Sequence, residues 1–255
     1  LYISGTSIGG MSGRIIMGSM SDLFSWQVGV IILGVVSLAI CFYFVWALPP
    51  SKHFVARPLQ FKPLVKSLFH HLRDSTLVCL FAIGFLLMGS FVTMYNYISF
   101  KFLEEPYALS ATIVGWIFLV YLVGTFSSAW FGSLSSKYGK QPVLYLGIII
   151  FLAGLLLTIP GPLFMQIIGL IIFTFGFFAA HSVASGWVSA RAKHDKAQAS
   201  SIYLFAYYLG SSVAGTSGGY FWMKYGWSGI VGFLGCGISL CLCCAMYIHY
   251  ANRKQ

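Results

Sequence analysis

Residues 162–190 read PLFMQIIGLIIFTFGFFAAHSVASGWVSA, a run of 29 residues without Asp, Glu, Lys or Arg. Crossing the hydrocarbon core of a bilayer takes about 20 consecutive apolar residues in a helix. This run is long enough, shows no strict alternation, and carries one ionisable side chain, His181. Seven further runs share its character: 1–22, 27–48, 76–100, 110–134, 142–160, 198–222 and 227–250. Their length and lack of period-two patterning favour helices over barrel strands. The expected fold class is an all-α polytopic membrane protein with eight spans.

Composition agrees. Only 8% of the 255 residues are charged and 58% are hydrophobic, against roughly 25% charged in a soluble domain. A soluble enzyme is excluded, and so is a disordered chain, which requires low hydrophobicity. The net charge of +10 does not indicate nucleic-acid binding, because the bases lie between membrane-length apolar runs. With the 49–75 segment on the inside, twelve of the fifteen Lys and Arg fall on that side. Lys101 and Lys224 fall on the other, and Arg14 lies within the first span. The positive-inside rule then puts both chain ends, and the basic linker 49–75, in the cytoplasm. The linker's mixture of bases with Phe and Leu suits a short amphipathic helix on the inner leaflet. Cys41, Cys79, Cys236, Cys241, Cys243 and Cys244 all lie in apolar runs and read as small apolar filler rather than as metal ligands.

Shifting the chain by 201 residues aligns the first span with the seventh. Tyr2 meets Tyr203, Gly9 meets Gly210, Gly18 meets Gly219 and Trp26 meets Trp227. Small residues at fourth-residue spacing (Gly5, Gly9, Gly13 against Ala206, Gly210, Ala214) permit close helix approach. If spans one and two repeat spans seven and eight, one repeat unit holds six helices. Residues 1–48 are then the last two helices of a first bundle, 49–75 the linker, and 76–255 a complete second bundle. The chain opens at Leu1 inside an apolar run, and is expected to lack four preceding helices. Two parallel six-helix halves characterise one class of secondary transporter.

Two motifs carry a resemblance. Gly132-Ser133-Leu134-Ser135-Ser136-Lys137-Tyr138-Gly139-Lys140 resembles the G-x-L-x-D-R-x-G-R loop signature of the major facilitator superfamily, with Ser136 at the acidic position. Gly9-x-x-x-Gly13-Arg14-x-x-Met17-Gly18 resembles the helix-five signature of the family's antiporters, with Arg14 in place of Pro and Met17 in place of Gly. The strings GGMSGR and YLFAYYLGSSVAGTSGGYFW are similar to those of bacterial inner-membrane efflux permeases of the arabinose-efflux-like drug-resistance branch. The resemblance implies the superfamily's twelve-helix fold, eight helices being present. It implies proton-coupled efflux of small organic molecules by a monomer in the bacterial inner membrane, with the proton as coupling ion and no cofactor. It also implies that Gly9, Gly13, Gly18, Gly132, Lys137, Gly139 and Lys140 belong to conformational-switch motifs.

Ionisable groups at membrane depth are costly and mark functional candidates. Arg14, midway along the first span, needs a partner or a water-filled cavity, and Asp22 lies two turns further on. His181 lies about ten residues from Arg191, roughly 15 Å deep at 1.5 Å per residue. Its side-chain type titrates nearest neutral pH. A histidine bonded to backbone between helices is the bland alternative. Tyr95, Asn96 and Tyr207 are candidates for a substrate wall, because aromatic faces attract organic cations. Tyr97 and Tyr107 fit an interfacial aromatic belt better. An importer of small organic acids or sugars, with Arg14 clamping a carboxylate, is the rival within the same class; an inactive truncated carrier is the rival outside it. No phosphate-loop, zinc-protease or nucleophile-elbow motif occurs, so no catalytic residue is assigned and no enzyme activity is expected.

Overall fold

The computed structural model describes residues 2–49, 61–159 and 161–253. Among the described residues the regular structure is all helical. Helix α1 (Tyr2–Leu23) and helix α2 (Trp26–Ala47) form a hairpin, and Ser25 caps α2 by accepting from the Val28 N–H. Next come α3 (Phe61–Arg73), α4 (Ser75–Leu103), α5 (Ala111–Ile117) and α6 (Tyr121–Tyr138). The last three are α7 (Lys140–Leu157), α8 (Leu163–Arg191) and α9 (Lys196–Arg253).

Six helical stretches are long and apolar enough to cross a membrane. The longest, in α9, holds two spans, because Gly226 breaks it with φ 58° and ψ −143°. That left-handed φ costs glycine little and would strain other residues. Helix α1 has span length but a Gly- and Ser-rich, less apolar sequence. The fourth expected span is interrupted: a 3₁₀ turn at Phe118–Val120 joins α5 to α6. Short 3₁₀ segments inside a span often mark strained or functional hinges.

Close backbone approach organises the bundle. A Cβ on Gly210 would lie 2.7 Å from the carbonyl carbon of Phe85, so α9 and α4 meet backbone to backbone. Helices α7 and α8 meet in the same way at Gly147, where a Cβ would sit 2.9 Å from the Ala180 nitrogen. With hydrocarbon as the solvent, such van der Waals approach replaces the hydrophobic effect in holding helices together. Large apolar side chains remain exposed along α2; Trp46 is 84% exposed.

The amphipathic segment expected in the linker is realised as α3. Val65, Phe69 and Leu72 recur at helical spacing as exposed apolar residues, while His71 is buried. Lys52 and Arg57 of the same linker lie outside the described residues.

Candidate functional site

The bundle is poor in charge, so its few ionisable side chains mark the candidate site. His181, ten residues or just under three turns before the Arg191 end of α8, is 8% exposed. Its Nδ1 lies 2.9 Å from the Tyr203 hydroxyl of α9. One imidazole face stacks parallel to Phe177 with centroids 5.8 Å apart, and Tyr207 lies 4.6 Å away. Gly84 of α4 makes room for Tyr203, since a Cβ there would come within 2.7 Å of its ring. His181 and Tyr203 line a cavity of ≈ 270 Å³ with Ser185, Gly186, Ser189 and Ser200, running toward the Arg191 end of α8.

Arg14 stands at the other end of the same arrangement. Its guanidinium donates to Asn96 Oδ1 at 3.4 Å and lies 5.1 Å above the Phe118 ring. Between Arg14 and His181 runs an unbroken band of rings. Phe118 touches Tyr95 and Tyr121, both touch Phe91, and Phe91 stacks on Phe177 at 3.9 Å. Phe177 then meets His181. The Tyr95 hydroxyl is satisfied by Thr174 Oγ1 at 2.6 Å. The band therefore links α1, α4, α6, α8 and α9 through one continuous set of packed rings.

The structure brings together Arg14 with Asn96, and His181 with Tyr207, and links the pairs through Tyr95. Asp22 is not beside Arg14. It accepts a 2.7 Å bond from the Thr112 N–H, at the opening turn of α5. The orphan amides of a helix start are a stronger draw for a carboxylate than an arginine two turns away. Tyr97 departs from the interfacial reading: it is 9% exposed, and its hydroxyl donates to the Gly215 carbonyl at 3.0 Å, between α4 and α9. Tyr107 is likewise tied down, donating to the Gly161 carbonyl and accepting from Gln166 Nε2 at 2.7 Å. Phe91, Phe118, Tyr121 and Phe177 had no sequence signal as site residues beyond their aromatic type. Tyr203 alone stood out, as the repeat counterpart of Tyr2.

The motif glycines divide. Gly18 packs against the Ala111 carbonyl of α5, and Gly115 against Arg14 O of α1. Gly9, Gly13 and Gly132 have nothing within 4 Å of a Cβ position. Gly139 turns the chain between α6 and α7 with φ 89°, a conformation that selects glycine. Lys137 Nζ lies 5.0 Å over the Tyr138 ring, and Lys140 Nζ reaches the Gly186 carbonyl of α8 at 3.5 Å. Ser136, where the loop signature has an acid, donates back to the Gly132 carbonyl at 3.3 Å.

Comparison with known proteins agrees with this architecture. The Major Facilitator Superfamily family model matches residues 1–215 and 91–255. The chain is 49% identical over 234 residues to the MFS-type transporter YybF of Bacillus subtilis, covering 92% of this chain and 58% of that protein. It is 47% identical over 249 residues to the inner membrane transport protein YnfM of Escherichia coli, covering 98% of this chain and 60% of that protein. The chain thus spans about three-fifths of the length of these curated relatives. Among solved structures, an inward-facing, unoccupied bacterial homologue of the human lysosomal transporter Spinster superposes with a TM-score of 0.66 at 13% identity. That match covers 98% of this chain and 69% of the other.

Proposed function

The chain belongs to the major facilitator superfamily of membrane transporters, and from that premise we propose that it is the larger part of a proton-coupled carrier exporting small organic molecules by alternating access. Residues 1–48 supply the last two helices of the first bundle and 76–255 form the second, joined by the cytoplasmic linker 49–75. The carrier is a monomer in the bacterial inner membrane, the location that the name of the Escherichia coli relative carries.

The observation that carries this reading is the aromatic band with an ionisable group at each end. His181 is the proton site. Protonation puts a cation against the faces of Phe177 and Tyr207, at 5.8 and 4.6 Å, where ring quadrupoles stabilise it. The same faces favour a cationic or flat aromatic substrate. Proton and substrate therefore draw on one set of rings, and occupancy by one disfavours the other, which is the thermodynamic requirement for exchange. Arg14 and Asn96, joining α1 to α4, tie the two bundles at the opposite end of the band. Lys137, Gly139 and Lys140 form the turn whose hold on α8 changes as the bundles rock.

The Arg14 guanidinium also favours a second reading. It is exposed and keeps donors beyond the one given to Asn96, so it can clamp the carboxylate of an imported organic acid.

Replacing His181 by Gln in the full-length carrier tests the proton assignment. Gln retains a hydrogen-bonding group for Tyr203 and removes the titration. The expected result is transport whose dependence on pH between about 5 and 8 is flattened, with gradient-independent substrate exchange retained. An unchanged pH profile would make His181 a structural residue.

A further inference from the structure

A second polar cavity, of ≈ 550 Å³, lies away from the aromatic band, where the end of α3 turns into α4 beside the Arg191 end of α8. Its ionisable side chains are His70, His71, Arg73, Asp74, Arg191 and Lys193, and Ser75 adds a hydroxyl. Three permanent cations and two imidazoles thus face a single carboxylate. That carboxylate is already committed. Asp74 Oδ1 accepts from the Thr76 and Leu77 N–H groups at 2.9 and 3.3 Å, capping α4, and Oδ2 accepts from Arg191 Nε at 2.8 Å. Asp74, the one acidic lining residue, is ion-paired to Arg191 rather than to Arg73 or Lys193. His71 is 2% exposed, its Nε2 3.4 Å from Ser67 Oγ and its ring edge-on to His70. The cavity is rich in cationic donors, and its one carboxylate is already committed.

The neighbouring helix fixes the setting. Val65, Phe69 and Leu72 of α3 are exposed at i, i+4 and i+7, forming one outward apolar stripe. A helix with such a stripe beside basic residues lies in the membrane interface, its apolar side chains among the acyl chains. The cavity opens at that helix's C-terminal end, on the side of the protein that carries most of its Lys and Arg. Basic pockets between transmembrane helices on that side suit lipid phosphates.

We propose that this cavity binds the phosphate of an anionic phospholipid of the cytoplasmic leaflet, held by Arg73, Lys193 and the outer nitrogens of Arg191, with α3 positioning the lipid. Dissolved inorganic phosphate offers the same recognition chemistry, and the stripe on α3 favours the lipid as its source.

The experiment uses the full-length transporter in nanodiscs of phosphatidylethanolamine, with and without phosphatidylglycerol. Lipid retained after release is counted by native mass spectrometry. A photoreactive phosphatidylglycerol maps where it lies on the unmodified protein. Retention of phosphatidylglycerol over phosphatidylethanolamine is expected, with crosslinks in the peptides bearing Arg73 and Lys193. The double variant R73Q/K193Q leaves the Asp74–Arg191 pair intact and should weaken retention about 25-fold, taking roughly fivefold per interfacial charge. R73K/K193R and K224Q, on the opposite face, should retain it. Displacement of the lipid by excess inorganic phosphate supports a phosphate-reading cavity. Protection by phosphate without any preference for phosphatidylglycerol would overturn the lipid assignment. Crosslinks elsewhere, or full retention in R73Q/K193Q, would overturn the site.

Discussion

Gly210→Ala isolates the contact that spaces α4 from α9. An added Cβ would sit 2.7 and 2.8 Å from the carbonyl carbon and Cα of Phe85, and nearer still to its carbonyl oxygen. Carbon atoms at rest are about 3.5–4.0 Å apart, so the helices must part by on the order of 1 Å. The obstacle is backbone on α4, so no flexible side chain can yield. Overpacking of this kind costs about 1–3 kcal/mol. Intrinsic helix propensity works the other way, favouring Ala over Gly by about 1 kcal/mol. The control is Gly232→Ala in the second span of α9, beyond the Gly226 break, where a Cβ meets nothing within 4 Å and only the propensity gain operates. The expected net difference between the two variants is therefore about 1–3 kcal/mol. Titration of the full-length protein from mild detergent into dodecyl sulfate, followed by Trp fluorescence, measures it. Superimposable curves for the two variants would refute the backbone contact between Gly210 and Phe85.

Three further outcomes follow from other parts of the structure. Asp74 both caps α4 and pairs with Arg191, its side chain 27% exposed, so Asp74→Asn, which keeps a good cap, should cost no more than about 1 kcal/mol; Asp74→Ala should cost about 1 kcal/mol beyond that, read in the same unfolding titration. Tyr203→Phe removes the hydroxyl 2.9 Å from His181 Nδ1 and should destabilise by about 1–3 kcal/mol if the buried nitrogen finds no new partner, while shifting the pH profile of transport; loss of stability with an unmoved profile would assign the pair a structural role. In a background without native cysteines, Lys137→Cys and Lys193→Cys should react with a membrane-impermeant maleimide only from the cytoplasmic side, and Glu105→Cys and Lys224→Cys only from the opposite side.

The helices were legible because the requirement they meet is one-dimensional: about 20 apolar residues in a row. Even the break in α9 showed, since Lys224 to Trp227 interrupts the hydropathy where Gly226 takes its positive φ. The 3₁₀ turn at Phe118–Val120 did not show, because FLVY is as apolar as its surroundings and the deviation lies in the backbone. The depth of His181 could be counted from Arg191, but its partner Tyr203 comes from the next helix, across a loop. Its rotational setting against α8 depends on small residues such as Gly84 that sit on a third helix. Arg14 shows the limit most plainly. Helical periodicity suggested Asp22, on its own helix, as the neighbour. The observed partner, Asn96, is 82 residues away, and Asp22 was drawn to the free amides at the start of α5. Aromatic type alone did not tell Tyr97, buried between α4 and α9, from a tyrosine at the membrane surface.

Everted membrane vesicles containing the full-length carrier, with the lumen made acidic, test proton-coupled export most directly. A panel of small organic cations and organic acids is supplied on the outside, which is the cytoplasmic face. Export by exchange predicts that a member of the panel accumulates in the lumen as protons leave, and that His181→Gln uncouples that accumulation from the gradient. Release of preloaded substrate from the acidic lumen together with protons would contradict export and mark an importer.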